Sequence, residues 1–126
     1  ACRSAVNSFT AEEKALVDRV RETYDQLRAI PCTACEYCQP CPQELRIPAM
    51  FSLFNDGKMY NTLDVMRQQY KGWLPEGKRA ADCVACQECE SKCPQHIAIS
   101  QWMPLVDEVL MQGVSYDEAL KRQPGR

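Results

Sequence analysis

The sequence is short of most features that would mark a partner or a compartment. Its 126 residues carry 15 Lys and Arg against 17 Asp and Glu, a formal net charge of −2. A balance this close leaves no basic face for nucleic acid or an anionic membrane, and neither is expected as a partner. No apolar run approaches the roughly 20 residues of a membrane-spanning helix, and the opening ACRSAVNSFTAEEK lacks the apolar stretch of an export signal. No segment alternates polar and apolar residues as a half-buried strand does. The expectation is an all-α chain that spans no membrane and works in the cytoplasm. It begins at Ala1 rather than Met, with an amphipathic helix soon after, which leaves room for it to be part of a longer polypeptide.

Cysteine is what the sequence has in excess. Hydrophobic residues make up 45%, but nine of them are cysteines, so conventional apolar residues are only about 38% of the chain and something other than side chains is expected to fill part of the interior. Eight of the nine fall in two similar stretches, CTACEYCQPCPQELRIP from Cys32 and CVACQECESKCPQHIAIS from Cys83. Cys32, Cys35 and Cys38 match Cys83, Cys86 and Cys89 fifty-one positions on, whereas Cys41 matches Cys93 at fifty-two. One residue is absent between the last two cysteines of the first copy.

Disulfides, zinc and iron–sulfur clusters are the three chemistries to weigh. A disulfide framework scatters its cysteines over distant loops and needs an oxidising compartment, while these are bunched and odd in number. Structural zinc usually takes two C-x2-C pairs. Here each group is a run of three, followed shortly by Cys-Pro. Three thiolates three residues apart can curl round one [4Fe–4S] cluster, with a fourth pointing away to a second cluster and a proline ending the turn. The stretch CVACQECESKCP fits that pattern at every position.

By this rule Cys32, Cys35, Cys38 and Cys93 would hold one cluster, and Cys83, Cys86, Cys89 and Cys41 the other. The alternative places Cys41 with its own motif, leaving Cys93 without a cluster. Crossing gives both sets a full count, and the shortened spacing makes Cys41 the assignment most in need of a test. Cys2 is expected to be an unligated thiol near the terminus. His96 is expected to be an ordinary loop residue, and Trp73 and Trp102 core or docking residues.

The remainder reads as helix. TAEEKALVDRVRETYDQLRAI has a capping box from Thr10 to Glu13 and an apolar stripe of Leu16, Val17, Val20, Tyr24 and Leu27, with its charges on a solvated face. IPAMFSLFNDG opens with Pro48, and NTLDVMRQQYKG has Asn61 as a cap and Gly72 as a stop. SQWMPLVDEVLMQG ends before Gly113, and SYDEALKR carries a second capping box from Ser115 to Glu118. The likeness of the copies continues through CPQELRIPAMF and CPQHIAISQWM, implying a loop, cluster and helix unit used twice. Leu45, Ile47, Ile97 and Ile99 are expected to wall the clusters from water, or simply to be core.

On these residues the architecture resembles the α-helical ferredoxin, the dicluster fold of fumarate reductase-type iron–sulfur subunits. The stretches IPCTACEYCQPCPQELRIP, FSLFNDG and ADCVACQECESKCPQHIAI are similar to the C-terminal iron–sulfur domain of an aldo/keto reductase family, from about Phe9 to Ile99. The first-copy spacing C-x2-C-x2-C-x2-C-P is typical of that family. The resemblance implies an electron-transfer part of an oxidoreductase whose catalytic (β/α)8 barrel precedes it. A Tyr–Lys–His–Asp reductase site cannot be placed in this helical chain with its single histidine, so no catalytic residue is assigned.

The expected layout is a lead-in helix over 1–30, a dicluster domain over 31–112 and a C-terminal helix and tail over 113–126. The partner is a redox protein or the fused reductase barrel. Two oxidised clusters of about −2 each would take the charge to about −6, favouring a basic docking surface on that partner. The other readings are a structural or interaction module held by metal, and a redox sensor.

Overall fold

The computed structural model describes residues 8–125; Cys2 lies outside them. Helix α1, Ala11–Leu27, starts at the expected capping box. Thr10 Oγ1 accepts from the Glu13 amide at 3.2 Å, and Glu13 Oε2 accepts from the Thr10 amide at 2.8 Å, so two of the orphan donors of the first turn are satisfied. The apolar stripe does not behave as a core face, however. No residue of α1 is buried, and Leu16, Val17, Val20, Tyr24 and Leu27 remain 41–54% exposed. At its end, the Lys58 ammonium donates to the Leu27 carbonyl at 2.9 Å.

The rest is a helical unit used twice. Helices α2 (Ile47–Met59) and α3 (Leu63–Trp73) follow the first cysteine motif. A single 3-10 turn, Ala80–Asp82, and the short α4 (Glu88–Ser91) carry the chain through the second. Helix α5, Ile99–Asp107, then continues as a π-helical segment, Glu108–Gln112, before α6, Tyr116–Leu120. Among the described residues there is no strand, as the missing alternation implied.

The two halves superpose in sequence register. Helices α2 and α5 start fifty-two residues apart, each after a residue of matching backbone: Arg46 at φ −83°, ψ 65° and Ala98 at φ −72°, ψ 72°. Ile47 and Ile99 are therefore the first helical residues, one place earlier than Pro48 and Ser100 suggested. Asn61 is not a side-chain cap. It sits at φ 53°, just past α2, as Gly113 at φ 91° sits past the π-helical segment fifty-two residues on. Both end a helix in the left-handed conformation that frees the chain to turn back. Ser115 does cap α6, accepting from the Glu118 amide at 3.3 Å.

The core joins the halves. Phe54 is fully buried, its ring edge-on to Trp102 at 6.0 Å and to Tyr116 at 5.0 Å. The Tyr116 hydroxyl donates to the Phe54 carbonyl at 2.7 Å. That hydroxyl sits where only a glycine allows it, because a Cβ on Gly57 would lie 2.5 Å from it. Trp102 is buried as core, whereas Trp73 is 65% exposed and belongs to the surface.

Two further residues are polar yet buried, Asn55 and Asp107. Asn55 Oδ1 accepts from the Ile30 amide at 3.0 Å and its Nδ2 donates to the Ile30 carbonyl at 2.8 Å. This closes both hydrogen-bonding groups of a buried residue two places before Cys32. Asp107 Oδ1 accepts from the Tyr70 hydroxyl at 3.2 Å, and that hydroxyl accepts from the Ala80 amide at 2.8 Å, three places before Cys83.

Candidate metal centre

The cysteine loops owe their shape to residues that sequence reading does not flag. Ala34 and Glu36 flank Cys35 with φ of 54° and 64°, and Ala85 and Gln87 flank Cys86 with φ of 53° and 62°. Glu44 and His96 form a third pair at 55° and 51°. The offsets are fifty-one, fifty-one and fifty-two, the same step the cysteines make. Left-handed backbone costs a non-glycine residue about 1–2 kcal/mol, and such conformations gather where surrounding structure or function requires them. Backbone of this kind is what builds a concave amide nest, which suits an anion or an iron–sulfur cluster. One such donor is visible directly, the Ala34 amide pointing at Cys32 Sγ at 3.4 Å.

The thiols follow the same symmetry. Cys35 and Cys86, the middle cysteines, are exposed; Cys32, Cys38, Cys41, Cys83, Cys89 and Cys93 are half-buried, and none of the eight forms a disulfide. Cys32, Cys35, Cys38 and Cys93 line one cavity, floored by Ile47, Phe51, Ile97 and Ile99. It is partly open to solvent. Among the described residues no three Cys, His, Asp or Glu side chains converge on a single ion. The four thiols share the wall of one cavity.

Leu45, Ile47, Ile97 and Ile99 are all buried, and three of the four line this cavity. His96 is an exposed loop residue whose amide donates to the Cys93 carbonyl. In the first copy the Gln39–Pro40 peptide is cis, and the Gln39 amide group donates to the Leu45 carbonyl at 2.9 Å. At the matching place in the second copy, Glu90 Oε1 accepts from the Ser100 amide and hydroxyl at 2.7 and 2.6 Å. Each of these side chains ties its motif to the start of the following helix.

Electrostatics show which thiols are neighbours. Burial pushes the Cys38 thiol up to about 11, with Cys32, Cys35 and Cys93 adding to the rise. Burial likewise pushes Cys89 to about 11, with Glu90, Cys38 and Cys83 adding. Cys32 is raised by burial and drawn back by the Ala34 amide. Cys38 thus lies close enough to Cys89, the third cysteine of the other motif, to raise it across the pseudo-twofold.

These directions set a pH dependence. A thiol whose folded value lies above its unfolded one stabilises the fold below the unfolded value and loses that contribution as pH rises. The cluster-free protein is therefore expected to lose thermal stability from about pH 9 to about pH 11. Melting curves across that range test this. A Cys38→Ser, Cys89→Ser double variant should lack the part of the slope beginning at pH 9, and an unchanged slope would refute the assignment.

A family model described as the 4Fe-4S dicluster domain matches residues 31–98, more than half of the chain. The chain belongs to this 4Fe-4S dicluster family. Comparison with curated proteins and with solved structures gave no match. A dicluster domain carries two [4Fe–4S] clusters, and the residues present fit them: eight unpaired thiols, two loops of matching left-handed backbone and a cavity partly open to solvent. The cysteine spacing revealed the thiols. The left-handed residues and the Asn55 and Asp107 anchors of the dicluster domain carry no such signal, apart from falling at the same repeat offset.

Proposed function

We propose that this iron–sulfur electron-transfer module is a two-site relay in which Cys32, Cys35, Cys38 and Cys93 hold one cluster and Cys83, Cys86, Cys89 and Cys41 the other. The observation that carries the reading is the cavity where Cys93 of the second motif stands with the first three cysteines of the other. When bound, each cluster supplies one-electron oxidation and reduction. The chain's own residues do the rest. In the first loop the Ala34 amide donates to Cys32 Sγ, which favours the more negative state. The buried isoleucines limit water on the inner side, and exposed Cys35 and Cys86 leave each site an outer edge that a partner can approach. The proximity of Cys38 and Cys89 supports a short path between the sites.

The relay is assigned to residues 31–112, with 1–30 leading in and 113–126 trailing. Its proposed setting is the cytoplasm, as the electron-input part of an aldo/keto reductase-type oxidoreductase. Support comes from the first-copy spacing and from α1, whose apolar stripe is left for another surface. No helix among the described residues is long and apolar enough to cross a membrane.

Anaerobic reconstitution tests the relay. The expected product is brown, holds about eight iron and eight sulfide per chain, and after dithionite shows two interacting paramagnets by EPR. A colourless product holding two zinc ions would overturn the reading, as would iron that dithionite cannot reduce. A (β/α)8 barrel encoded in frame before Ala1 would support the reductase context, and an unrelated domain there would remove it.

A further inference from the structure

The two halves match in backbone but not in charge, and two of the mismatches fall on side chains that hold the cysteine loops. Asn55 is the ninth residue of α2 and Asp107 the ninth of α5. Both are buried, at 7% and 4% exposure, and both anchor the backbone just ahead of their own half's motif. Asn55 does so directly through Ile30; Asp107 does so through the Tyr70 hydroxyl and Ala80. The same substitution recurs nearer the thiols. Gln39 in the first motif and Glu90 in the second occupy equivalent places and tie their loops to the next helix. In both pairs an amide in the first half is replaced by an acid of equal size in the second.

From this we infer that the two sites differ in reduction potential, the one built on Cys83, Cys86, Cys89 and Cys41 being the lower, so that electrons run from it to the site on Cys32, Cys35, Cys38 and Cys93. The inference rests on the relay reading above. A cluster becomes more negative when reduced, so a nearby carboxylate disfavours reduction, and burial keeps that effect from being screened. Each transfer moves one electron, oxidising the second-motif site as it reduces the first.

Other charges bear on the balance. Glu36 and Glu44 lie in the first half where Gln87 and His96 stand in the second. Both are exposed to solvent, and Glu44 is paired with Lys78 at 2.6 Å, so their influence is weakened. Arg28 acts on Cys32 and favours reduction at the first site, in the same sense as the proposal. Arg79 acts on Tyr70 and opposes it. Arg79 is present in every variant below, so comparisons isolate the acid.

The test is an anaerobic redox titration of the reconstituted protein followed by EPR, read alongside iron content and melting temperature. The natural chain should show two separate one-electron steps. Asp107→Asn and Glu90→Gln should each raise the lower step and leave the upper in place. The expected size is on the order of tenfold in the reduced-to-oxidised ratio, about 59 mV for one electron. Asn55→Asp should lower the upper step, again narrowing the gap. Tyr70→Phe is the structural control: it removes the hydrogen bonds but not the charge, so it should lower the melting temperature and keep the gap.

Two fully loaded sites with one common potential would overturn the inference while leaving the relay intact. So would an Asp107→Asn protein with both steps unmoved, or a Tyr70→Phe protein that shifts as much as Asp107→Asn. Failure of the natural chain to take up iron would instead refute the relay reading itself.

Discussion

Cys93→Ala is expected to strip the cluster held by the first motif and spare that of the second, so that iron falls from about eight to about four per chain. Cys93 lies in sequence beside Cys89 but in space beside Cys32, Cys35 and Cys38, with which it lines one cavity. Removing it leaves three thiolates where four are needed. Cys41→Ala should be the mirror case. Iron counts alone cannot say which site is lost, so thiol alkylation of the loaded proteins should be mapped by mass spectrometry. In Cys93→Ala the label should reach Cys32, Cys35 and Cys38 while Cys41, Cys83, Cys86 and Cys89 stay protected; in Cys41→Ala it should reach Cys83, Cys86 and Cys89. Labelling of each variant's own motif would replace crossing with two self-contained sites. The shortened spacing between Cys38 and Cys41 makes the second variant the sharper of the two.

Phe54→Ala is expected to cost about 3–5 kcal/mol, the usual range for deleting a fully buried phenylalanine. Phe54 lies on α2 of the first half yet packs edge-on against Trp102 of α5 and Tyr116 of α6, both in the second. Its loss opens a cavity at the seam between the repeats, and the aromatic contacts go with it. Against a domain stability of about 5–15 kcal/mol, this should lower the anaerobic melting temperature by roughly 10 °C or more. Because ligation and folding are linked, cluster release should also begin at lower temperature. A shift of only a degree or two would mean that the clusters, not this seam, hold the halves together.

Much of the site was readable before the fold. Cysteines at C-x2-C-x2-C, repeated, specify the donor type and a loop of the right curvature, since three residues is about the reach of chain that wraps a cubane. The helices were readable too, from Thr10 and Glu13 at the start of α1 to Gly113 at the end of the π-helical segment. The left-handed pairs were not, because glycine is the usual mark of that backbone and here alanine, glutamate, glutamine and histidine adopt it. The stripe on α1 is apolar, but its period says only that a face seeks cover. It does not say what covers it, and nothing within the described residues buries it.

By itself the sequence determined the chemistry: thiolate donors in two near-copies, helices between them, a near-balanced charge and no long apolar run. These are local properties, set by spacing, capping and periodicity within a few turns of chain. The crossing rule put Cys93 with the first motif as an expectation; the tertiary structure sets it at that motif's cavity and brings Cys38 near Cys89, across separations of 51 to 61 positions. It also decided that Asn55 and Asp107 are buried anchors rather than surface polar residues. Which of two equivalent helices carries a charge inward depends on what packs against it, and no local pattern encodes that.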